Sequence, residues 1–115
     1  MTRALVVFHD EGVEEWASWK LKKGFRHVFC VLECGAYWVM VDGQAGVPVV
    51  EVIAGTDYDL ASFYRSEGYR VVETHRRSTT VSILVLGNCV GLVKAMIGLR
   101  CWAVTPWQLY KRLVP

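Results

Sequence analysis

Hydrophobic residues occur along this chain in short runs whose period changes several times. Runs rich in valine and other β-forming residues predict five strands, over residues 3–8, 25–33, 37–42, 47–53 and 69–74. Glycines and polar residues separate most of these runs, as is typical of strands joined by turns. The pattern therefore indicates a sheet, with helices in the segments between and after its strands.

Three other segments have the spacing of apolar residues that indicates an amphipathic helix. Thr56 and Asp57 resemble the cap of a short second helix. Thr105 and Gln108 have the spacing of a capping box at the start of the third, which has proline at its first position. These helices are expected to begin near Val13, Leu60 and Pro106, and Gly24 and Gly68 should end the first two.

The longest apolar stretch covers residues 79–99. It is long enough to span a bilayer, but Asn88, Lys94 and three glycines interrupt it, and β-branched residues crowd only its first half. We therefore predict a buried strand over 79–86 that leads into a buried helix beginning at Cys89. No stable insertion into a membrane is expected.

Cys89 is a candidate nucleophile because of its place at the start of this helix. The N-terminal amides and the helix dipole favour a thiolate there. A thiolate is the competent nucleophile, and a neighbouring histidine is the usual partner that generates it. The backbone N–H of Cys89 could face a developing oxyanion, while Asn88 could either donate to that oxyanion or cap the helix.

A predicted hairpin selects one histidine as the partner of Cys89. If Cys34 and Gly35 form a two-residue turn, His27 lies directly opposite Asp42 on the next strand. Directly opposed side chains share a face, with Cβ atoms roughly 5 Å apart. A carboxylate beside a histidine can fix its tautomer and stabilise the imidazolium. The sequence therefore predicts Cys89, His27 and Asp42 as a catalytic triad.

Other residues remain open as members of the site. His9 ends the first predicted strand and His75 ends the strand predicted over residues 69–74, so each is also a candidate partner histidine. Tyr37 is an alternative to Asp42 as the third member. In the predicted register Trp38 shares a face with Asp42 and could line the cleft. Each feature alone is common in ordinary cores and turns, since a buried cysteine behaves as a small hydrophobe.

The composition indicates a globular chain and narrows the class of partner. Its 115 residues predict a single domain over residues 1–115, and the 53% of apolar residues can fill a core. The net charge of +2 is too small for a nucleic-acid binder. The four cysteines have the spacing neither of zinc ligands nor of a disulfide framework. We expect no metal or cofactor, no signal peptide, and a reducing, cytoplasmic compartment.

The tripeptide Asn88-Cys89-Val90, placed after a histidine that opens a hairpin, resembles the circularly permuted branch of the NlpC/P60 papain-like superfamily. In that branch the histidine strand precedes the cysteine helix. The Asn-Cys pair is similar to that of the lecithin:retinol acyltransferase-like members, although these carry a second histidine on the next strand and residues 37–42 contain none. The resemblance covers roughly residues 24–100. It implies an α+β fold in which a small antiparallel sheet packs against the helix carrying Cys89.

The chain also resembles short proteins encoded by tailed phages and prophages. Together the resemblances imply a thiol hydrolase that cleaves an amide bond, with a peptide such as the peptidoglycan stem peptide as substrate. Cys89 would attack, His27 would shuttle the proton and Asp42 would orient the histidine. The alternative is a non-catalytic structural or interaction protein of a phage virion or tail that retains the fold. The expected location is the cytoplasm of the producing bacterium or, for the alternative, the virion, where other phage proteins would be its partners.

Overall fold

A computed structural model of the chain shows an α+β fold built on one antiparallel sheet. The structure describes residues 2–11, 21–44, 47–77, 89–99, 101 and 103–114. Within them lie five strands in the spatial order β4-β3-β2-β1-β5, and three helices. In chain order the elements are β1 (Arg3–His9), β2 (His27–Cys34), β3 (Tyr37–Gln44), β4 (Val47–Gly55), α1 (Leu60–Ser66), β5 (Arg70–His75), α2 (Cys89–Ile97) and α3 (Pro106–Leu113).

The alternation of side chains along β1 gives the sheet two buried faces. Ala4, Val6 and Phe8 point to one face, and Leu5 and Val7 point to the other. We name these the α2 face and the α1 face, after the helices that cover them. α2 and α3 pack on the α2 face through Val90, Leu92, Val93, Ile97 and Leu109, and α1 packs on the α1 face through Leu60, Ala61 and Tyr64.

The five predicted strands are confirmed, each with small differences at its ends. The predicted strand over 79–86 and most of the predicted helix over 13–23 lie outside the described residues. Residues 21–23 are described and are not helical. They lead into a turn in which the Phe25 N–H donates to the carbonyl of Lys22 at 2.9 Å, with Gly24 at a φ of +87°.

The β2–β3 hairpin turns one residue later than the sequence predicted. Cys34 pairs with Tyr37, so the two-residue turn consists of Gly35 and Ala36. Gly35 occupies the first central position with a φ of +62°, where a type II′ turn takes glycine. The prediction was wrong because it placed glycine second, as a type I′ turn such as Asn-Gly would.

The cap of α1 also differs from the prediction. The N-cap is Asp59, whose side chain accepts a hydrogen bond from the Ser62 N–H at 3.1 Å. β4 continues as far as Gly55, so Thr56 and Asp57 belong to the turn that follows that strand. The strand extends beyond its last strongly apolar residue, so the cap lies at Asp59, two residues after Asp57.

The remaining helix boundaries that fall inside the described residues agree with the sequence. The described part of α2 runs over Cys89–Ile97, and Gly98 after its end has a φ of +72°. Thr105 and Gln108 form the reciprocal hydrogen bonds of a capping box at the start of α3. Among the described residues, no helix has both the length and the apolar character needed to cross a membrane.

Candidate active site

One end of the sheet gathers the candidate reactive side chains. β1 ends there at His9, β2 begins there at His27, and β3 returns to it near Asp42. The first residue of α2, Cys89, lies beside the same end. Because neighbouring strands are antiparallel, the end of one strand lies beside the beginning of the next. The fold thus brings together the three residues predicted as a triad.

The backbone of His27 is fixed by contacts between the two segments that flank it. The Gly24 N–H donates to Asp10 Oδ1 at 2.7 Å, and Arg26 Nη1 lies 4.0 Å from Asp10 Oδ2. Gly24 adopts its left-handed conformation without the steric cost that a Cβ atom would bring. These contacts set the point at which the chain enters β2, where His27 pairs with His9.

Asp42 is the direct partner of His27. Nε2 of His27 lies 2.6 Å from Oδ1 of Asp42, and the two side chains are only 14% and 6% exposed. When the observed register is extended along β2, His27 stands opposite Gln44, so the prediction of a directly opposed pair was wrong. The error is two positions, a shift that leaves both side chains on the same side of the sheet. They meet as diagonal neighbours.

Cys89 reaches His27 beside a glycine of β3. A Cβ atom on Gly43 would lie 3.1 Å from Leu92 Cδ2 and 3.7 Å from the Cα atom of Cys89. The missing side chain therefore leaves the space in which the first turn of α2 lies. The Cys89 thiol lies close enough to the imidazole of His27 to act on it, because its hydrogen-bonding and charge effects both raise the pKa of His27. Since Nε2 is directed at Asp42, Nδ1 is the ring nitrogen left to face the sulfur.

The imidazole of His27 is held in its protonated form at neutral pH. Burial favours the neutral ring, but hydrogen bonds to Asp42 and Cys89, and the negative charges of these groups, raise the pKa of His27 to about 9. A cation in contact with a sulfur favours its thiolate form. The arrangement therefore places an imidazolium, which a buried carboxylate stabilises, beside the thiol of Cys89.

His9 is a second histidine of the site, which the predicted hairpin had passed over. Its ring centroid lies 5.1 Å from that of His27 and 4.8 Å from that of Tyr69. Burial, and then the charge of His27, lower the pKa of His9. Its place at the end of a strand was visible in the sequence. The pairing of β1 with β2, which makes the two histidines neighbours, was not.

Three of the remaining candidates of the sequence analysis lie away from the site. Trp38 is 3% exposed and donates from Nε1 to the carbonyl of Tyr58, so it is a core residue and does not line a cleft. Tyr37 is exposed beside the hairpin turn at the far end of the sheet, and His75 ends β5 at that same end. Asn88 lies outside the described residues.

Comparison of the chain with protein-family models, curated proteins and solved structures gave no match. Within the described part of the chain, no group of three or more His, Cys, Asp or Glu side chains is arranged to hold a metal ion. A fold alone does not define an activity. The functional inference therefore depends on the geometry and charge of the Cys89, His27 and Asp42 side chains.

Proposed function

We propose that this protein is a thiol hydrolase that cleaves an amide bond with Cys89, His27 and Asp42 as its catalytic triad. One observation carries the proposal: the His27 imidazole is hydrogen-bonded to the Asp42 carboxylate and lies near enough to the Cys89 thiol for that thiol to raise the pKa of His27. A nucleophile, a proton-transferring base and an orienting carboxylate in this order are the elements that activate a side chain for acyl transfer.

A purely structural role explains this arrangement less well. Cys30 shows what the core does to a thiol, since it is fully buried and burial raises its pKa to about 12. Cys89 is partly exposed and contacts a charged imidazole instead. Buried ion pairs such as His27–Asp42 add little to stability compared with apolar packing. The pair is better explained by the chemistry that it permits at Cys89.

The reaction has two stages in this proposal. The Cys89 thiolate attacks the carbonyl carbon of the amide, and His27 gives its Nδ1 proton to the departing nitrogen as the C–N bond breaks, which leaves a thioester. Neutral His27 then takes a proton from water while the water oxygen attacks the thioester. The carboxylic acid product departs, and the thiolate–imidazolium pair is restored. Asp42 holds the ring and stabilises its charged form throughout.

The start of α2 is suited to bind the oxyanion that forms in each stage. The first N–H groups of an α-helix have no acceptor within the helix, and Cys89 is the first described residue of α2. The helix dipole adds positive potential at the same place. We therefore assign the backbone N–H of Cys89 as an oxyanion donor.

The finer part of the proposal is a permuted papain-like fold acting on peptidoglycan stem peptides. It is supported by the order of elements, in which the strand of His27 precedes the helix of Cys89, and by the packing of α2 on the antiparallel sheet. The competing role, a phage structural protein that retains the fold, requires no reactive thiol. The reactivity of the Cys89 thiol and the hydrolysis of a peptide therefore distinguish the hydrolase from the structural protein.

Alkylation by iodoacetamide tests the reactivity of Cys89. We expect Cys89 to react faster than Cys34 at neutral pH, as measured by mass spectrometry of the two peptides. Cys34 is a matched control because it is an exposed thiol at the other end of β2 from His27, roughly 24 Å along the strand. In the His27→Ala variant, Cys89 should be alkylated no faster than Cys34. Equal rates in the unaltered protein would count against the proposal.

Hydrolysis of peptidoglycan stem-peptide fragments, followed by mass spectrometry, tests the substrate. Cys89→Ala should abolish cleavage and leave the circular dichroism spectrum unchanged, because it removes the nucleophile from a partly exposed position. Cys34→Ala should cleave like the unaltered protein. Full activity in Cys89→Ala would refute the assignment of the nucleophile.

A further inference from the structure

His9 and His27 belong to a packed layer of rings at the reactive end of the sheet. The ring planes of the two histidines meet at 65°, with centroids 5.1 Å apart. On its other sides His9 stacks on Tyr69 at 4.8 Å and contacts Phe29 at 5.5 Å. The Tyr69 hydroxyl in turn donates to the carboxylate of Glu11. The His27 ring is therefore held by His9 as well as by its hydrogen bonds.

The hydrogen bond at Nδ1 shows which form of His9 is present. The Glu11 N–H donates to Nδ1 of His9 at 3.0 Å. A ring nitrogen that accepts a hydrogen bond carries no proton, so His9 is neutral, with its proton on Nε2. Protonation of Nδ1 would break this bond and would place a second cation beside the His27 imidazolium.

We propose that His9 is a positioning residue: its neutral ring holds the His27 imidazole toward Cys89, and its protonation in acid drives the two rings apart and breaks that contact. The inference rests on the proposed function, since it concerns the same histidine and thiol. It makes the contact between His27 and Cys89 depend on pH. The acid form of the protein would keep its fold but lose the pairing of His27 with Cys89.

Opposing charges around His9 determine how readily it takes up a proton. Burial and the cation at His27 oppose protonation, whereas the carboxylates of Asp42, Glu11 and Asp10 favour it, and the balance lowers the pKa of His9. His9 is therefore neutral under conditions in which His27 is charged. Among the described residues, the titratable groups that face His9 are His27 from β2, Asp42 from β3, Tyr69 from the segment before β5, and Asp10 and Glu11 after its own strand.

The test compares the acid sensitivity of Cys89 alkylation in the unaltered protein and in His9→Phe, which keeps an aromatic ring but cannot take up a proton. The rate is measured by peptide mass from about pH 7 to about pH 4. We expect the rate in acid, relative to that at neutral pH, to be at least about fourfold higher in His9→Phe. That factor corresponds to two unit charges about 5 Å apart in a water-like dielectric. If the alkylation rate of Cys89 falls in acid as much in His9→Phe as in the unaltered protein, or more, the proposal is overturned.

Two further variants control this comparison. His9→Asn keeps an oxygen that can accept from the Glu11 N–H and does not titrate, so it should behave like His9→Phe. His75→Asn removes an exposed histidine from the far end of the sheet and should behave like the unaltered protein. If His75→Asn changed the pH dependence of Cys89 alkylation as much as His9→Phe does, the effect would be a general one of charge, and the proposal would also be overturned.

Nuclear magnetic resonance of the histidine rings in the unaltered protein decides the matter if the variants do not fold or Cys89 is not alkylated. Under the proposal, His9 carries its proton on Nε2, and the His27 signals shift in the pH range in which His9 titrates. Independent titration of the two rings would refute it. Failure to cleave any peptide would count against the proposed function alone, because neither readout requires a substrate.

Discussion

His9 and His27 are identical side chains in adjacent positions, yet their surroundings move their pKa values in opposite directions. For His27, hydrogen bonds to Asp42 and Cys89 outweigh burial and raise the pKa to about 9. For His9, burial and the neighbouring cation prevail over the carboxylates of Asp42, Glu11 and Asp10 and lower the pKa. A direct hydrogen bond to a charged partner thus decides which histidine is the cation.

Asp42→Asn tests this account of His27. Asparagine keeps the shape of the side chain but removes its charge, so the pKa of His27 should fall from about 9 toward its ordinary value of 6.5. The alkaline limb of kcat/KM should move down with it, and the rate at neutral pH should fall by at least about tenfold. Ring titration by nuclear magnetic resonance and hydrolysis against pH measure the two effects.

A matched control for Asp42→Asn is Asp57→Asn, which makes the same chemical change at an exposed turn. It should leave the His27 titration where it was. If His27 titrates in the same range in Asp42→Asn as in the unaltered protein, Asp42 does not set its charge.

At the scale of elements, the approach of α2 to β3 closes the site. Gly43 is the point of contact, since its missing side chain leaves room for Leu92 and the first turn of the helix. Protein interiors are close-packed, so a side chain added at such a contact displaces one element relative to the other. The distance between Cys89 and His27 therefore depends on a residue that has no reactive group.

Gly43→Val should weaken both the fold and the site. Its side chain would meet Leu92 Cδ2, 3.1 Å from an ideal Cβ position, and the Cys89 backbone, 3.7 Å from it. Overpacking of this kind costs about 1–3 kcal/mol, which urea denaturation would show as a lower free energy of unfolding. Cys89 alkylation should slow as well, because α2 would have to move away from β3.

A double variant separates steric contact from an intrinsic preference for glycine. Gly43→Ala should cost less free energy of unfolding in a Leu92→Ala background than alone, because the second change removes the atom that the new methyl group meets. Equal costs in the two backgrounds would show that Leu92 does not restrict position 43.

At the scale of the whole molecule, the reactive end lies where the two faces of the sheet meet. By the alternation of β2, His27 follows Phe29 on the α1 face, whereas Cys89 comes from the helix on the α2 face. Burial, together with the charge of the Asp42 carboxylate, raises the pKa of Tyr64 on α1. A site assembled from both layers requires the whole sheet to be folded.

The stability of the whole molecule should therefore depend on pH on both sides of neutrality. The pKa of His27 is raised from 6.5, so its stabilisation is complete below pH 6.5 and is lost as pH rises toward about 9. The pKa of His9 is lowered, so its stabilisation is present above pH 6.5 and is lost as pH falls through the lowered value. The free energy of unfolding should be highest near pH 6.5.

Urea denaturation over a pH series measures this profile. We expect the alkaline loss to be on the order of 2 kcal/mol and to be absent in His27→Gln, which cannot titrate. His9→Phe should reduce the acid loss and leave the alkaline loss in place. Stability that rises continuously between pH 6.5 and pH 9 would contradict the raised pKa of His27.

Local chemistry made several features predictable from the sequence alone. The runs of β-forming residues located the five strands of the described residues, the Thr105–Gln108 spacing marked the start of α3, and Cys89 was placed on the helix α2. Each of these depends on residues within one or two turns of one another. Cys89, His27 and Asp42 could be nominated for the same reason, since each occupies a recognisable position in its own element.

Only the tertiary structure decided how these elements meet. The hairpin turn moved by one residue to Gly35 and Ala36, yet His27 and Asp42 still met, because a shift of two in register preserves the face of each side chain. The pairing of β1 with β2 brought His9 against His27. The close contact at Gly43 brought α2 to β3. These contacts join residues far apart in the chain, and their geometry is set by packing, which no short stretch of sequence encodes.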